Sequence, residues 1–223
     1  EPLIDDLSMV AEPGQTVAIV GPTGAGKTTL VNLIMRFYEV DSGRITLDGV
    51  DITRLTRDEL RGRIGMVLQD TWLFAGTIRE NIAYGRPDAS ASDIEAAARA
   101  VGAHDMIEAL PFGYDTEIAE RGKSLSAGQR QLIALARAEL VQPSILLLDE
   151  ATSNLDLATE SRVTDAMHRL ARDRTTVLIA HRLQTAMGAH RIVMLDHGRV
   201  IEVGSHDELL ERDGAYAAMW KAF

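Results

Sequence analysis

Eight consecutive residues constrain this chain more than any other stretch: Gly21-Pro22-Thr23-Gly24-Ala25-Gly26-Lys27-Thr28. They fit the pattern G-x-x-x-x-G-K-[ST] without a mismatch. Glycine at 21, 24 and 26 lets the backbone curl into a nest whose N–H groups turn inward toward phosphate oxygens. Lys27 brings a point charge for the β- and γ-phosphates, and the Thr28 hydroxyl is an oxygen ligand suited to Mg²⁺. The flanks agree with this. Thr16-Val17-Ala18-Ile19-Val20 is a β-prone apolar run, and from Thr29 to Phe37 apolar residues recur at helical spacing. Strand, glycine loop and helix start together point a positive helix end, opened by Lys27, Thr28 and Thr29, at an anion. The stretch implies binding of a nucleoside triphosphate.

Composition narrows the setting. Among 223 residues, 23 Lys and Arg against 33 Asp and Glu leave a net charge of −10, where a nucleic-acid surface would want a basic stripe. There is no cysteine, so disulfides, zinc–thiolate sites and thiol catalysis are excluded. Hydrophobic content of 46% with 25% charged residues suits a buried globular core. No apolar run approaches the ~20 residues that cross a bilayer, and no signal peptide is seen. The chain begins Glu1-Pro2 rather than with Met, and the expectation is a piece of a longer polypeptide.

In order, residues 1–20 read as strand, turn, strand, with the turn at Glu12-Pro13-Gly14-Gln15. Asp48-Gly49 between two short β-prone runs predicts a hairpin, and residues 64–68 predict a buried strand ending at Gln69. From about 72 to 140 strand signals vanish, and helices are expected at 77–84, 92–101, 103–110 and 127–140. Ser92-Asp93-Ile94-Glu95 looks like the capping box of the second of these. The apolar run 145–148, a helix at 157–172 and strands at 176–180, 192–195 and 200–203 follow, with a capping box at Ser205–Glu208 opening the last helix. Strands alternating with helices mean an α/β fold with a mostly parallel sheet. The expected organisation is one domain over 1–223, its α/β core at 1–71 and 141–223 and a helical subdomain inserted at about 72–140.

Several stretches narrow the chemistry. Leu125-Ser126-Ala127-Gly128-Gln129 is a small-residue loop opening an apolar-faced helix (Leu132, Leu135, Ala136, Leu140). Ser126 can cap that helix, and the N–H groups after it make a second anion site. Residues 145–148 run into Asp149-Glu150. Asp149, at a strand end, suits Mg²⁺, and Glu150 beside it is placed to orient or deprotonate a water. His181 directly follows a core strand, at the sheet edge where ligands bind.

These stretches resemble the ATP-binding-cassette (ABC) proteins, and the resemblance covers essentially the whole chain. Residues 125–129 look like the LSGGQ signature, with Ala127 where glycine is usual, and residues 145–150 look like a Walker B strand. Ser153-Asn154-Leu155-Asp156 resembles the D-loop, with Asn154 departing from the pattern. Ala127 raises a specific concern, because a left-handed backbone there would be strained by its methyl group. The resemblance implies a P-loop NTPase core with an antiparallel β subdomain and an inserted α-helical subdomain.

It further implies ATP as ligand and Mg²⁺ held by Thr28, Asp149 and Gln69. Glu150, His181 and Gln69 would be catalytic, His181 touching the γ-phosphate and Gln69 touching the metal and the attacking water. Gly21 to Thr29, Ser126, Ala127, Gly128, Gln129 and Asp156 would bind nucleotide, the last reaching across a dimer. The adenine-stacking aromatic of such proteins falls before Glu1.

Residues 73–82 and 116–122 resemble the exporter branch. The implied protein is an ATPase domain that pairs head-to-tail with a second such domain around two Mg-ATP. It would drive an attached transmembrane domain from the cytoplasmic face of the membrane, without nucleic acid. Three rivals stand beside this reading. An importer ATPase is disfavoured by the exporter-like stretches, and a non-hydrolysing half of a heterodimer by Glu150 and His181. A soluble ABC ATPase of DNA repair or translation lacks support for want of a coiled-coil insertion, a second cassette or a basic surface.

Overall fold

A computed structural model describes residues 3–68, 71–119, 122, 124–149, 157–180 and 182–222. In chain order its elements begin with β1 (Thr16–Val20), α1 (Lys27–Ile34), β2 (Thr46–Leu47), β3 (Val50–Asp51), α2 (Arg57–Arg61) and β4 (Ile64–Val67). There follow β5 (Gly76–Thr77), α3 (Ile78–Ala83), α4 (Ala91–Val101), α5 (His104–Glu108), β6 (Glu117–Ile118) and α6 (Ala127–Val141). The chain ends with β7 (Ile145–Asp149), α7 (Leu157–Ala171), β8 (Thr175–Ile179), α8 (Leu183–Ala186), β9 (Arg191–Asp196), β10 (Arg199–Gly204), α9 (His206–Glu211) and α10 (Ala215–Lys221). Two compact units result, one of residues 1–64, 144–147 and 173–223, the other of 65–143 and 148–172.

The sheet has the order β10-β9-β1-β8-β7-β4, and within the first unit Ile145 N–H donates to the Arg63 carbonyl beside β4. Its centre is β1, parallel to β8 on one side and to β9 on the other, while β10 returns antiparallel to β9. Val17, Ala18, Ile19 and Val20 are wholly buried. That is why their sequence is a continuous apolar run instead of an alternation. β10 joins β9 through His197-Gly198, both with positive φ, and carries a bulge between Val200 and Glu202. The predicted hairpin is present: Thr46 pairs with Asp51 and Leu47 with Val50 across Asp48-Gly49. Both turn residues have positive φ, as a two-residue turn of this hand requires.

The second unit is largely helical. α6 packs on α3, α4 and α7, and its buried side chains include Leu132, Ile133, Leu135, Ala136 and Leu140. Helix after helix opens on the same device, a Ser or Thr cap and an acidic or amide residue at the third helical position. Thr77 pairs with Glu80, Ser90 with Asp93 and Ser126 with Gln129, as in the first unit Thr56 pairs with Glu59 and Ser205 with Glu208. Each satisfies two otherwise orphaned donors.

Three expectations are corrected here. Residues 3–11 join no ladder among the described residues; Asp5 N–H donates to the Gly198 carbonyl, and one such bond does not make a strand. Strand signals do not vanish after residue 72, because β5 and β6 pair antiparallel, Gly76 with Ile118 and Thr77 with Glu117. Two-residue strands are too short to show alternation in a sequence. The capping residue of α4 is Ser90, not Ser92, since starting at Ala91 adds two helical residues without losing a cap. The other helices and strands given bounds lie within two residues of them, except α1, which ends at Ile34, three residues before Phe37; α2 and α8 are not among those expected.

Candidate nucleotide-binding site

The loop from Gly21 to Gly26 leaves the buried end of β1 and enters α1. Gly21, Gly24 and Gly26 have φ of 147°, 86° and 100°, conformations that side-chain-bearing residues rarely adopt. The loop is braced from two directions. Ala25 N–H donates to the Pro22 carbonyl, closing a turn, and the Ala25 carbonyl accepts from Gly198 N–H of the β9–β10 turn. At Gly21 the backbone passes so close to β9 that a Cβ would overlap the Leu195 carbonyl oxygen. This close approach gives a prediction. Gly21→Ala combines overlap with φ strain of about 1–3 kcal/mol. Thermal denaturation should show Tm lowered by roughly 2–12 °C for a chain of this size; an unchanged Tm would mean that the loop yields freely.

Lys27 folds back over the loop. It is 6% exposed, and its Nζ donates to the Gly21 carbonyl at 2.6 Å and the Pro22 carbonyl at 3.0 Å. Pro22, Thr23, Gly24 and Thr28 are exposed, and Thr29 is half-buried. Unlike the capped helices, α1 has glycine at its N-cap, no capping side chain and no acidic residue in its first turn. The first-turn N–H groups of a helix need an outside partner. A loop of glycine backbone, a preplaced ammonium and an uncapped helix start therefore fit a polyphosphate. For a metal, the exposed Thr28 hydroxyl at the start of α1 is a hard oxygen donor, as is, in the second unit, the Asp149 carboxylate at the end of β7. Mg²⁺ takes one or two such donors alongside phosphate oxygens and water, so no acidic cage is needed.

The signature-like stretch lies in the second unit, at the start of α6. Ser126 Oγ accepts from Gln129 N–H at 3.2 Å, and Gln129 Oε1 accepts from Ser126 N–H at 2.8 Å. Gln129 is thus occupied in the cap. Ala127 is the first helical residue and is not among those with positive φ, so its methyl group meets no backbone strain. Gly128 is buried in the first turn. The structure thus gathers Gly21 to Thr29 in one loop and the helix turn it enters, and Ser126 to Gln129 at the cap and first turn of α6. Gln69, Glu150, Asp156 and His181, together with Asn154, lie outside the described residues.

The sequence reading missed the residues that hold the segment after β4. Gln131 of α6 is 2% exposed, accepts from the Thr71 hydroxyl and reaches the Leu68 carbonyl at 3.5 Å. Arg137 donates to the carbonyls of Asn81 (2.8 Å) and Trp72 (3.2 Å) and lies over the stacked rings of Phe74 and Tyr84. Burial pulls its guanidinium pKa below the usual value. The missed signal was a glutamine at helical spacing with Leu135 and Ala138, on a face otherwise apolar.

The family model described as "ABC transporter" matches residues 4–153. The chain is 58% identical over 221 residues to a fatty acid ABC transporter ATP-binding/permease protein of Mycobacterium tuberculosis, covering 99% of this chain and 35% of the relative. It is 51% identical over 216 residues to a putative multidrug export ATP-binding/permease protein of Bacillus subtilis, covering 97% and 37%. A solved bacterial Atm1-family ABC exporter with ATP bound superposes with a TM-score of 0.92 at 49% identity, covering 99% of this chain and 38% of that one. The chain thus spans about a third of the length of these relatives. Among the described residues no helix is long and apolar enough to cross a membrane.

Proposed function

The chain belongs to the ABC transporter family, and from that premise we propose that it is the ATP-hydrolysing domain of an exporter, working as a head-to-tail pair around two Mg-ATP. The observation that supports this reading is that one chain carries two distinctive helix starts, the uncapped start of α1 behind its glycine nest and the start of α6, which Ser126 and Gln129 cap. Two such starts on each chain suit two chains and two nucleotides. Each ATP is held by the loop of one copy and covered by the signature of the other, with Asp156 reaching across. ATP then bonds the interface and hydrolysis releases it. A membrane-spanning partner domain, such as the permease part of the relatives' names, turns that opening and closing into transport from the cytoplasmic face.

Within each site the residues divide the work. The N–H groups of residues 21–28 and the Lys27 ammonium hold the β- and γ-phosphates. Lys27 exchanges two carbonyl acceptors for phosphate oxygens without leaving the loop. Thr28, Asp149 and Gln69 would hold Mg²⁺, which when bound neutralises charge on the β- and γ-oxygens. Gln69 and Glu150 orient a water in line with the bond between γ-phosphorus and the β–γ bridging oxygen. The water oxygen bonds to phosphorus, that bond breaks and ADP leaves, while Glu150 takes the water proton. His181 and, from the other copy, Ser126 and the N–H groups of Ala127 and Gly128 stabilise the γ-phosphate oxygens. The transported molecule is selected by the membrane part.

The pairing has a direct test. Glu150→Gln protein, sized by light scattering, is expected to pass from monomer to dimer when Mg-ATP is added. If it binds Mg-ATP tightly and stays monomeric even with its membrane partner present, the head-to-tail arrangement is wrong.

A further inference from the structure

The phosphate loop has two faces. Pro22, Thr23 and Gly24 are exposed, while Ala25, Gly26 and Lys27 are buried. Part of what covers the buried face is the segment at residues 3–5, which joins no ladder among the described residues. The half-buried Ile4 side chain lies against Gly26 so closely that a Cβ there would stand 2.8 Å from Ile4 Cδ1 and 3.4 Å from the Leu3 carbonyl oxygen. The same segment lies on the turn between β9 and β10, where a Cβ on Gly198 would overlap the Leu3 carbonyl oxygen. Gly198 is bonded through both of its backbone groups. Its N–H donates to the Ala25 carbonyl, and its carbonyl accepts from Asp5 N–H. Arg199, the next residue, donates from Nε to the Asp5 carboxylate at 3.1 Å. Residues 3–5, the β9–β10 turn and the end of the phosphate loop are therefore stacked backbone on backbone within the first unit. Gly26 is the N-cap of α1, and it has no side chain with which to hold its left-handed conformation. What packs on its Cα decides how the first turn of α1 is aimed.

We infer that Ile4 is a positioning residue for nucleotide binding: packed against Gly26, it holds the N-cap of α1 in the conformation that receives phosphate. A loop already held in its bound shape gives up less freedom when the ligand arrives, and so binds more tightly. Without the contact the loop spends only part of its time in that shape, and the apparent affinity falls by that fraction. Ile4 is none of the groups assigned to the reaction, so the rate at saturation does not depend on it. The inference rests on the reading of residues 21–28 as the ATP site, and the experiment separates the two.

Equilibrium binding of Mg-ATP and steady-state ATPase kinetics of the full-length protein are compared for Ile4→Ala, Ile4→Leu, Leu210→Ala and Lys27→Ala, with Tm recorded for each. Ile4→Ala deletes the carbons that reach Gly26, whereas Ile4→Leu keeps a methyl group at the δ position. Leu210, half-buried in α9, which packs on β10 and α10, controls for loss of an aliphatic side chain from the same unit. The expected result for Ile4→Ala is Kd and KM for ATP raised about 3–10-fold, as when roughly a tenth to a third of the loop population stays competent, with kcat within about twofold of wild type. Ile4→Leu should bind within about twofold of wild type, because the volume is conserved. Leu210→Ala should lower Tm without moving Kd or KM. If Ile4→Ala binds ATP like wild type while Lys27→Ala does not, the inference falls and the reading of the phosphate loop stands. It falls equally if Leu210→Ala weakens binding as much as Ile4→Ala does, because the effect then follows stability alone. If Lys27→Ala itself binds ATP like wild type, residues 21–28 are not the ATP site, and the inference goes with that reading.

Discussion

Lys27→Ala is expected to abolish productive nucleotide binding while leaving the fold in place. The side chain is 6% exposed and already lies inside the loop, bonded to the Gly21 and Pro22 carbonyls. On binding it makes charge-assisted bonds to phosphate, worth about 1.5–3 kcal/mol each. Loss of two such bonds weakens binding by about 3–6 kcal/mol, or roughly 10²–10⁴-fold. Arginine should not rescue, because a planar guanidinium cannot occupy the compact space an ammonium fills. Titration with a fluorescent ATP analogue, beside circular dichroism to confirm folding, measures this. Affinity within a few fold of wild type in a folded variant would remove Lys27 from the site.

Glu150→Gln is expected to separate binding from chemistry. The amide preserves shape but cannot take a proton from water. The general base is then lost, at a cost of about 10²–10⁴-fold in turnover. Binding should survive, since in the proposed site the glycine backbone and Lys27 hold the phosphates without Glu150. Single-turnover hydrolysis beside equilibrium binding reads both quantities on one preparation. A variant that hydrolyses like wild type would show that another group accepts the proton. Together the two substitutions are diagnostic in opposite ways: Lys27→Ala fails at binding, whereas Glu150→Gln binds and stalls.

The site was legible in the sequence where its chemistry is local. The phosphate loop is contiguous, and its glycines are required by backbone conformations that the structure shows at 21, 24 and 26. The cap of α6 was legible for the same reason, since Ser126 and Gln129 bond within one helical turn. The concern over Ala127 dissolved because the residue is helical, where a methyl group is favourable. The cap of α4 shows how local reading errs. Ser90-x-x-Asp93 and Ser92-x-x-Glu95 both match the pattern, and only the assembled helix chooses between them. Residues 3–11 show the converse, for a strand exists only when another strand is there to pair with it.

By itself, then, the sequence determined the elements and the chemistry that lie within a few residues of each other. It established a glycine turn between a buried strand and a helix, a second helix start capped by Ser126, and an α/β order around a helical insertion. The tertiary structure decided which distant groups complete them. The carbonyl that forbids a side chain at Gly21 belongs to Leu195, 174 residues along the chain. The hydroxyl that occupies Gln131 belongs to Thr71, and the pairing of β5 with β6 spans forty residues. Periodicity records that a face is buried, because burial depends on solvent alone. It does not record what covers that face. The partner of a buried polar group is fixed only when packing has brought two remote segments together and left no water to take its place.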